Sequence, residues 1–206
     1  LEEPASFELV SEGPVKAVIR VTRKINHSEL SQLISLRRNS ARVDFDTTVQ
    51  WHELHKMLKV GFPVNYYAEE AVHEIQFGHV RRPNHRSNQF DFDRFEVANH
   101  KWTALCEEGR GFAVLNDCKY GVNVLGNCIN LTLLRSPFSP DPEADQGEQK
   151  FVYSFYAYTG SFMDSGVVQE GYDLNVPAQV LPGARKDGSL LTIEAGNVIL
   201  ETLKPA

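Results

Sequence analysis

The sequence predicts an all-β fold, a large antiparallel β-sandwich. Apolar and polar residues alternate with period two in many short segments, which is the pattern of a half-buried strand. Short turns rich in Gly, Asn and Asp separate these segments, and the period of an amphipathic helix is hard to find. Roughly a dozen strands joined in this way are typical of two sheets packed face to face.

The first strands are predicted by alternation and by residue type. Residues 15–21 place Val15, Ala17, Ile19 and Val21 on one face, as a half-buried strand requires. Residues 42–51 repeat the pattern with β-branched and aromatic side chains. Residues 29–36 are ambiguous because their leucines allow a helical turn, but the neighbourhood favours a strand.

The remaining strands follow the same reasoning. Residues 57–62 are a short apolar run that Pro63 closes, and residues 71–77 alternate again. The further predicted strands are residues 102–107, 111–115, 129–135, 151–159, 190–193 and 198–203.

Two segments are predicted to be loops because of their composition. Residues 81–93 are polar and show no periodicity. Residues 136–149 are rich in Pro, Asp and Glu, and are long enough for a functional loop. We find no internal repeat and no interdomain linker, so residues 1–206 are expected to form a single β-sandwich domain.

Composition limits the partners and the compartment. The net charge of −6 over 206 residues gives no basic surface for nucleic acid, and no apolar run is long enough to span a membrane. The spacing of Cys106, Cys118 and Cys128 fits neither a disulfide framework nor a zinc site, so we expect free thiols in the cytoplasm. The chain begins without Met, which suggests an excised fragment or a processed product.

Two motifs contain histidines. In Trp51-His52-Glu53-Leu54-His55 the two histidines are three residues apart at a predicted strand end, so their side chains should point to opposite faces rather than share a metal. His100-Lys101-Trp102 enters a strand. This motif could stack and hydrogen-bond a sugar, or it could be a core Trp beside a hydrogen-bonded His.

Other polar residues do not define a catalytic site. Residues 116–121, Asn-Asp-Cys-Lys-Tyr-Gly, are predicted to form a hairpin turn. The sequence cannot place its candidate acid–base carboxylates relative to one another: Asp91, Asp93, Glu96, Glu107, Glu108, Asp141 and Asp145. There is no GxSxG, P-loop or GxGxxG motif.

A series of ordered segments covers the middle half of the chain, residues 51–153: residues 51–60, 62–64, 74–78, 82–85, 93–97, 100–102, 115–121, 133–137, 140–141, 144–145 and 151–153. These segments, in this order, resemble the family 38 glycoside hydrolases, the α-mannosidases, and in particular their cytosolic and bacterial branch. Two positions depart from the family pattern. Gln149 stands where a His is expected, and residues 103–106 replace the usual Asp-Leu-Ser.

The resemblance implies a C-terminal β-domain like the galactose mutarotase supersandwich. In this family a separate α/β barrel carries the nucleophilic aspartate and a divalent metal, zinc or cobalt, and a helical bundle lies between barrel and β-domain. Members are retaining enzymes. The present chain would therefore lack the catalytic barrel and the helical bundle, hold no metal or catalytic residue itself, and support hydrolysis of mannose-containing oligosaccharides.

The family also suggests where this domain would meet substrate. The strand that ends at Arg135 leads into a loop that approaches the sugar site of the barrel, so Arg135, Asp141 and Asp145 are candidate substrate-binding residues. His100 and Trp102 are added because a Trp beside a His and a Lys is a common way to bind a sugar. The loop could instead only seal the interface with the barrel.

Two other functions stay open at this point. The chain could be an independent carbohydrate-binding module, with Trp102, Tyr66 and Tyr67 as stacking surfaces. It could also be a sugar epimerase of the mutarotase type, in which His79 or His100 acts as the acid and Glu96 or Glu107 as the base.

Overall fold

A computed structural model describes residues 3–183, 188–189, 191–196 and 198–204. The strands are β1 Ser6–Glu12, β2 Lys16–Ile25, β3 Ser28–Arg37, β4 Arg42–Trp51, β5 Met57–Pro63, β6 Glu70–Ile75, β7 Gly78–Pro83, β8 Val97–Ala98, β9 Trp102–Glu107, β10 Arg110–Asn116, β11 Gly121–Leu125, β12 Cys128–Arg135 and β13 Gly147–Thr159. The helices are α1 Gln89–Asp93 and α2 Val167–Asn175, and a 3-10 turn covers Phe162–Asp164.

The strands form two antiparallel sheets that pack against each other. The larger sheet has nine strands in the order β1-β2-β3-β4-β13-β10-β9-β6-β7, and the smaller has four in the order β5-β12-β11-β8. Their facing side chains make one apolar core, in which Trp51 and Phe112 of the larger sheet pack with Leu131 of the smaller. The predicted all-β class and antiparallel β-sandwich are confirmed.

Most predicted strands are present. Strands β4 and β9 have the predicted bounds, residues 42–51 and 102–107. The ambiguous residues 29–36 lie inside strand β3, which pairs with β2 and β4 on either side. The strand predicted over residues 71–77 ends at Ile75, because Gln76 and Phe77 form the turn that joins β6 to β7.

The C-terminal predictions are wrong. Residues 198–203 and 191–193 alternate in sequence but form no strand, and Leu190 lies outside the described residues. Alternation is a local property, whereas a strand needs a partner with which to exchange backbone hydrogen bonds.

The loop predicted over residues 81–93 is also wrong in part. These residues include the end of β7 and helix α1.

The predicted hairpin turn at residues 116–121 is a crossing between the sheets. It connects β10 of the nine-stranded sheet to β11 of the four-stranded sheet, and these strands do not pair with each other. Asn116 fixes this crossing, because its amide group donates to His100 O at 2.7 Å and accepts from the Lys119 N–H at 2.8 Å. The prediction that these residues form a turn is right, but the prediction that the turn joins two paired strands of a hairpin is wrong.

Helix α2 covers the outer face of the nine-stranded sheet and was not predicted. Gly171 lies so close to the indole of Trp102 that an added Cβ would stand 2.9 Å from Cδ1. The guanidinium of buried Arg42 fixes the helix to the sheet, because it donates a hydrogen bond to the Glu170 carboxylate, with 2.8 Å between nitrogen and oxygen. None of the helices in the described parts of the chain is long and apolar enough to cross a membrane.

Candidate functional site

The loop of residues 136–146 is closed at its base by the side chain of Asp145. The carboxylate of Asp145 accepts a hydrogen bond from the backbone N–H of Arg135, at 2.6 Å, which joins the end of β12 to the start of β13. Asp145 has a φ of +66°, in the left-handed region where Asp is better tolerated than most residues. Asp145 therefore holds the loop in shape, and the exposed Arg135 side chain extends from a fixed backbone.

The floor of this loop is the segment that follows strand β4. Trp51 is buried and its indole N–H donates to Ser136 Oγ at 2.5 Å, while the backbone of Ser136 donates to Lys56 O at 3.2 Å. The ring of Phe138 stacks on His55 with 4.2 Å between the ring centroids. These contacts hold the loop on the motif of residues 51–55.

Glu53 is the buried acid of that motif. Its side chain is 2% exposed and accepts hydrogen bonds from Lys56 Nζ at 2.7 Å, the backbone of His27 at 2.8 Å and Ser28 Oγ at 3.0 Å. The ammonium of Lys56, helped by the other two donors, lowers the pKa of Glu53 from 4.5 to about 2. The Glu53 backbone carbonyl also accepts from Gln146 Nε2 at 2.8 Å, so this acid supports the loop from below.

The histidines on either side of Glu53 do not form a metal centre with other residues. His52 and His55 are both exposed, and His55 is engaged with Phe138. In the parts of the chain that the structure describes, no group of three or more His, Cys, Asp or Glu side chains could hold a metal ion.

Asp141 lies at the exposed tip of the loop. One of its carboxylate oxygens accepts from the Glu143 backbone N–H at 2.9 Å, and its carbonyl accepts from Ala144 at 3.3 Å. The side chain thus shapes its own turn while it remains open to solvent. It lies on the same loop as Asp145 but does not share that residue's contact with Arg135.

An open groove of about 690 Å³ runs beside Arg135 on the outer face of the four-stranded sheet. Tyr120 and Phe95 line the groove and are 52% and 64% exposed. Glu96 forms one wall, where it accepts from Thr132 Oγ1 and pairs with Lys59 Nζ at 3.3 Å. The groove thus combines exposed aromatic rings with both charged and hydroxyl groups, which suits a polar ligand with an apolar face.

His100 and Trp102 line a separate cavity of about 400 Å³ under helix α2. Trp102 is 2% exposed and packs on Phe162, so its indole is a wall of the cavity and not an exposed stacking surface. Glu74 lies at the bottom and accepts from the Lys101 backbone N–H at 2.5 Å and from Lys101 Nζ at 3.2 Å. His100 is half-buried at the edge.

The five predicted substrate-binding residues therefore fall into two groups. Arg135 and Asp145 are in direct contact, with Asp141 on the same loop, whereas His100 and Trp102 share the other cavity. Tyr120 lies between the groups, since its ring packs edge-on against His100 at 5.8 Å and also lines the groove of Arg135.

The residues named for the other two functions have different partners. Glu96 and Glu107, the candidate bases of an epimerase, are paired with Lys59 and Arg110. The acids that line the cavity of His79 and His100 are Glu74 and Glu201.

The aromatic platforms of the binding-module hypothesis also lie apart from one another. Tyr66 and Tyr67 are not among the residues that line the cavity of Trp102. The ring of Tyr66 lies under the Arg110 guanidinium at 4.9 Å, and Tyr67 is 73% exposed.

Sequence reasoning missed Glu74, Phe77 and Tyr172 as members of this cavity. Glu74 and Phe77 were recognised as parts of an alternating strand and of the family segment 74–78, but not as site residues. Tyr172 lies in helix α2, which was not predicted.

The fold is shared with glycoside hydrolases of known structure. The chain superposes on the crystal structure of an alpha-mannosidase from Enterococcus faecalis with a TM-score of 0.77 and 19% identity, covering 90% of this chain and 26% of that one. A second Enterococcus faecalis structure, a protein in the glycosyl hydrolase family 38, gives a TM-score of 0.75 at 19% identity, with the same coverage. At this identity the likeness shows the fold alone.

Sequence comparison defines the family. The profile of the glycosyl hydrolases family 38 C-terminal domain matches residues 1–143. Human alpha-mannosidase 2C1 is 45% identical over 87% of this chain and 18% of its own length, and Dictyostelium discoideum alpha-mannosidase G is 41% identical over 100% and 20%. The chain belongs to glycoside hydrolase family 38, and it is the C-terminal domain of that family. It spans about a fifth of the length of these relatives.

Proposed function

We propose that this chain is the non-catalytic β-domain of a retaining, metal-dependent α-mannosidase that hydrolyses α-linked mannose in oligosaccharides. The observation that carries the proposal is the placement of Arg135, an exposed cation at the base of a braced loop and beside an open groove, in a domain that belongs to the α-mannosidase family. The domain would support the enzyme and form part of the wall of its active site.

The braced loop gives Arg135 the properties of a substrate-positioning group. Its backbone is fixed by Asp145, and the loop below is held by Trp51 and Glu53. A guanidinium presents several N–H donors in a rigid plane, which suits the adjacent hydroxyl oxygens of a sugar. The exposed carboxylate of Asp141, at the tip of the loop, would accept a hydrogen bond from another hydroxyl of the sugar.

The chemistry itself belongs to the remainder of the enzyme in this proposal. The nucleophilic carboxylate and the divalent metal, zinc or cobalt, would lie in a catalytic barrel that packs with this domain and with a helical bundle. A cytoplasmic location is supported by the three cysteines, Cys106, Cys118 and Cys128, none of which is in a disulfide.

The test is to replace Arg135 by Ala in the full-length product of the gene. Loss of a charged hydrogen-bond donor costs about 1.5–3 kcal/mol, so KM for a mannose oligosaccharide should rise at least about tenfold, with little change in thermal stability. The control is Arg38→Ala, since Arg38 is an exposed arginine on the turn between β3 and β4. An unchanged KM would remove Arg135 from the substrate site.

The absence of catalytic groups is tested on the 206-residue chain alone. We expect no hydrolysis of an aryl α-mannoside by the purified, folded chain, with or without added zinc or cobalt. Measurable hydrolysis that persists through purification would contradict the proposal, because the reacting groups would then lie in this domain.

A further inference from the structure

The turn between β6 and β7 holds an aromatic residue in an unfavourable position. Phe77 has a φ of +56°, in the left-handed region that glycine adopts without cost and a bulky side chain adopts rarely. Its side chain is 96% exposed, so the fold gains almost no burial from the ring. Both the backbone conformation and the exposed apolar surface are costs that the domain itself does not offset.

Backbone strain of this kind persists where it serves a function. A glycine at position 77 would close the two-residue turn without strain, and it would expose no apolar ring. The exposed ring is therefore available to a ligand or to another surface. Phe77 is among the residues that line the cavity of His100 and Trp102.

The polar groups inside the cavity are held in fixed positions. Lys101 is bound by Glu74 through both its backbone N–H and its ammonium, and the ammonium lies 4.4 Å from the centre of the Tyr172 ring. The Tyr172 hydroxyl is hydrogen-bonded to Glu201. Burial, helped by Glu201, raises the pKa of Tyr172 to about 12, so its hydroxyl stays protonated.

The charges in the cavity select the ligand class. Glu74 and Glu201 disfavour an anion, and the one lysine among the lining residues is already neutralised by Glu74. The Lys101 ammonium already pairs with Glu74, and the Tyr172 hydroxyl already donates to Glu201, so a ligand cation would have to compete with both donors. A neutral polyhydroxyl compound meets neither obstacle, since carboxylates accept from its hydroxyls and imidazoles donate to or accept from them.

We propose that this cavity binds a neutral sugar, with the ring of Phe77 stacking on its apolar face and with His79, His100 and Glu201 hydrogen-bonding its hydroxyls. The buried Trp102 forms the back wall. The site is distinct from the groove of Arg135, and its ring platform was not among the residues that the sequence indicated. The choice of mannose as the first sugar to test rests on the proposed function.

The experiment measures binding of methyl α-mannopyranoside and an α-linked mannobiose to the 206-residue chain by protein NMR titration. Three forms are compared: the unchanged chain, Phe77→Gly, and Phe90→Ala, whose target is another phenylalanine that is 77% exposed but lies outside the cavity. We expect saturable shifts in residues of the cavity, an affinity about tenfold weaker in Phe77→Gly, and no change in Phe90→Ala. Phe77→Gly should also melt at the same or a higher temperature, because glycine relieves the strain.

Two results of the titration would contradict the sugar site. If neither ligand shifts the cavity residues at concentrations up to the solubility limit, or if Phe77→Gly binds as well as the unchanged chain, the sugar site is wrong and Phe77 is a contact for another protein surface. If the isolated chain fails to fold, KM is measured in the full-length product. Phe77→Gly should then raise KM for a mannose oligosaccharide but not for an aryl monosaccharide, and equal KM values for the oligosaccharide would overturn the proposal.

These outcomes are separate from those for the proposed function. Arg135→Ala tests the groove and Phe77→Gly tests the cavity, and either variant can be affected without the other. If Phe77→Gly loses binding while Arg135→Ala has an unchanged KM, the sugar cavity is retained and Arg135 is not part of the active-site wall.

Discussion

Replacement of Glu53 by Gln tests whether a buried carboxylate stabilises the floor of the loop of residues 136–146. The change keeps the shape of the side chain but removes its charge, and it places an amide where Lys56 Nζ now binds a carboxylate oxygen at 2.7 Å. The donors from His27 and Ser28 would then meet a neutral acceptor, which forms weaker hydrogen bonds than an ionised one. We expect the folded state to lose stability at neutral pH.

The magnitude follows from the lowered pKa. A fall from 4.5 to about 2 corresponds to about 3 kcal/mol of preference for the ionised form in the folded chain. Lys56 is 51% exposed, and solvent screens its charge, so we expect about 2 kcal/mol for Glu53→Gln at pH 7. Because the folded pKa lies below the unfolded one, this stabilisation is complete above pH 4.5 and is lost as the pH falls toward 2.

The assay is chemical denaturation of both proteins at pH 7, 5, 4 and 3. The difference in the free energy of unfolding should be constant from pH 7 to 5, and roughly half of it should be lost by pH 3. Glu8→Gln is the control, since Glu8 pairs with Arg20 on the surface, and it should change stability by less than about 0.5 kcal/mol. A difference that is the same at pH 7 and pH 3, or no larger than that of the control, would refute the role assigned to the charge.

Two further substitutions test how the nine-stranded sheet is packed. Arg42→Met should cost about 3–5 kcal/mol, measured by denaturant unfolding, because it leaves the carboxylates of Asp44 and Glu170 without their buried partner and releases helix α2. A loss below about 1 kcal/mol would contradict this. Gly111→Ala should lower the melting temperature, because the new Cβ would lie 2.4 Å from Tyr158 Oη, whereas Gly78→Ala meets nothing within 4 Å and should leave it nearly unchanged. Equal melting temperatures for the two alanine variants would refute the close contact.

The candidate site was predicted from sequence only in part. Family resemblance selected Arg135 and Asp145, and their contact became visible only when β12 and β13 were placed together. His100 and Trp102 were chosen as neighbours in sequence, yet the features that define their cavity are the hairpin tip at Phe77 and the helix that carries Tyr172. Those elements are far apart along the chain, so no local pattern could connect them.

The sequence by itself determined the class of fold and the position of most strands. Alternation along β4 was enough for its bounds, because a strand with one buried face repeats every two residues whatever its partner is. It also determined the family, since ordered blocks of residues carry that information directly. These are properties of neighbouring residues or of their order.

Only the tertiary structure decided which alternating segments found partners and what α2 packs against. Residues 198–203 alternate as well as many strands, but the hydrogen bonds that make a strand come from another part of the chain. Residues 116–121 have the composition of a hairpin turn, yet they pass between two sheets. Gly171 weakens α2 as an isolated helix and is required for its approach to Trp102, so helix formation here depends on packing and not on local propensity.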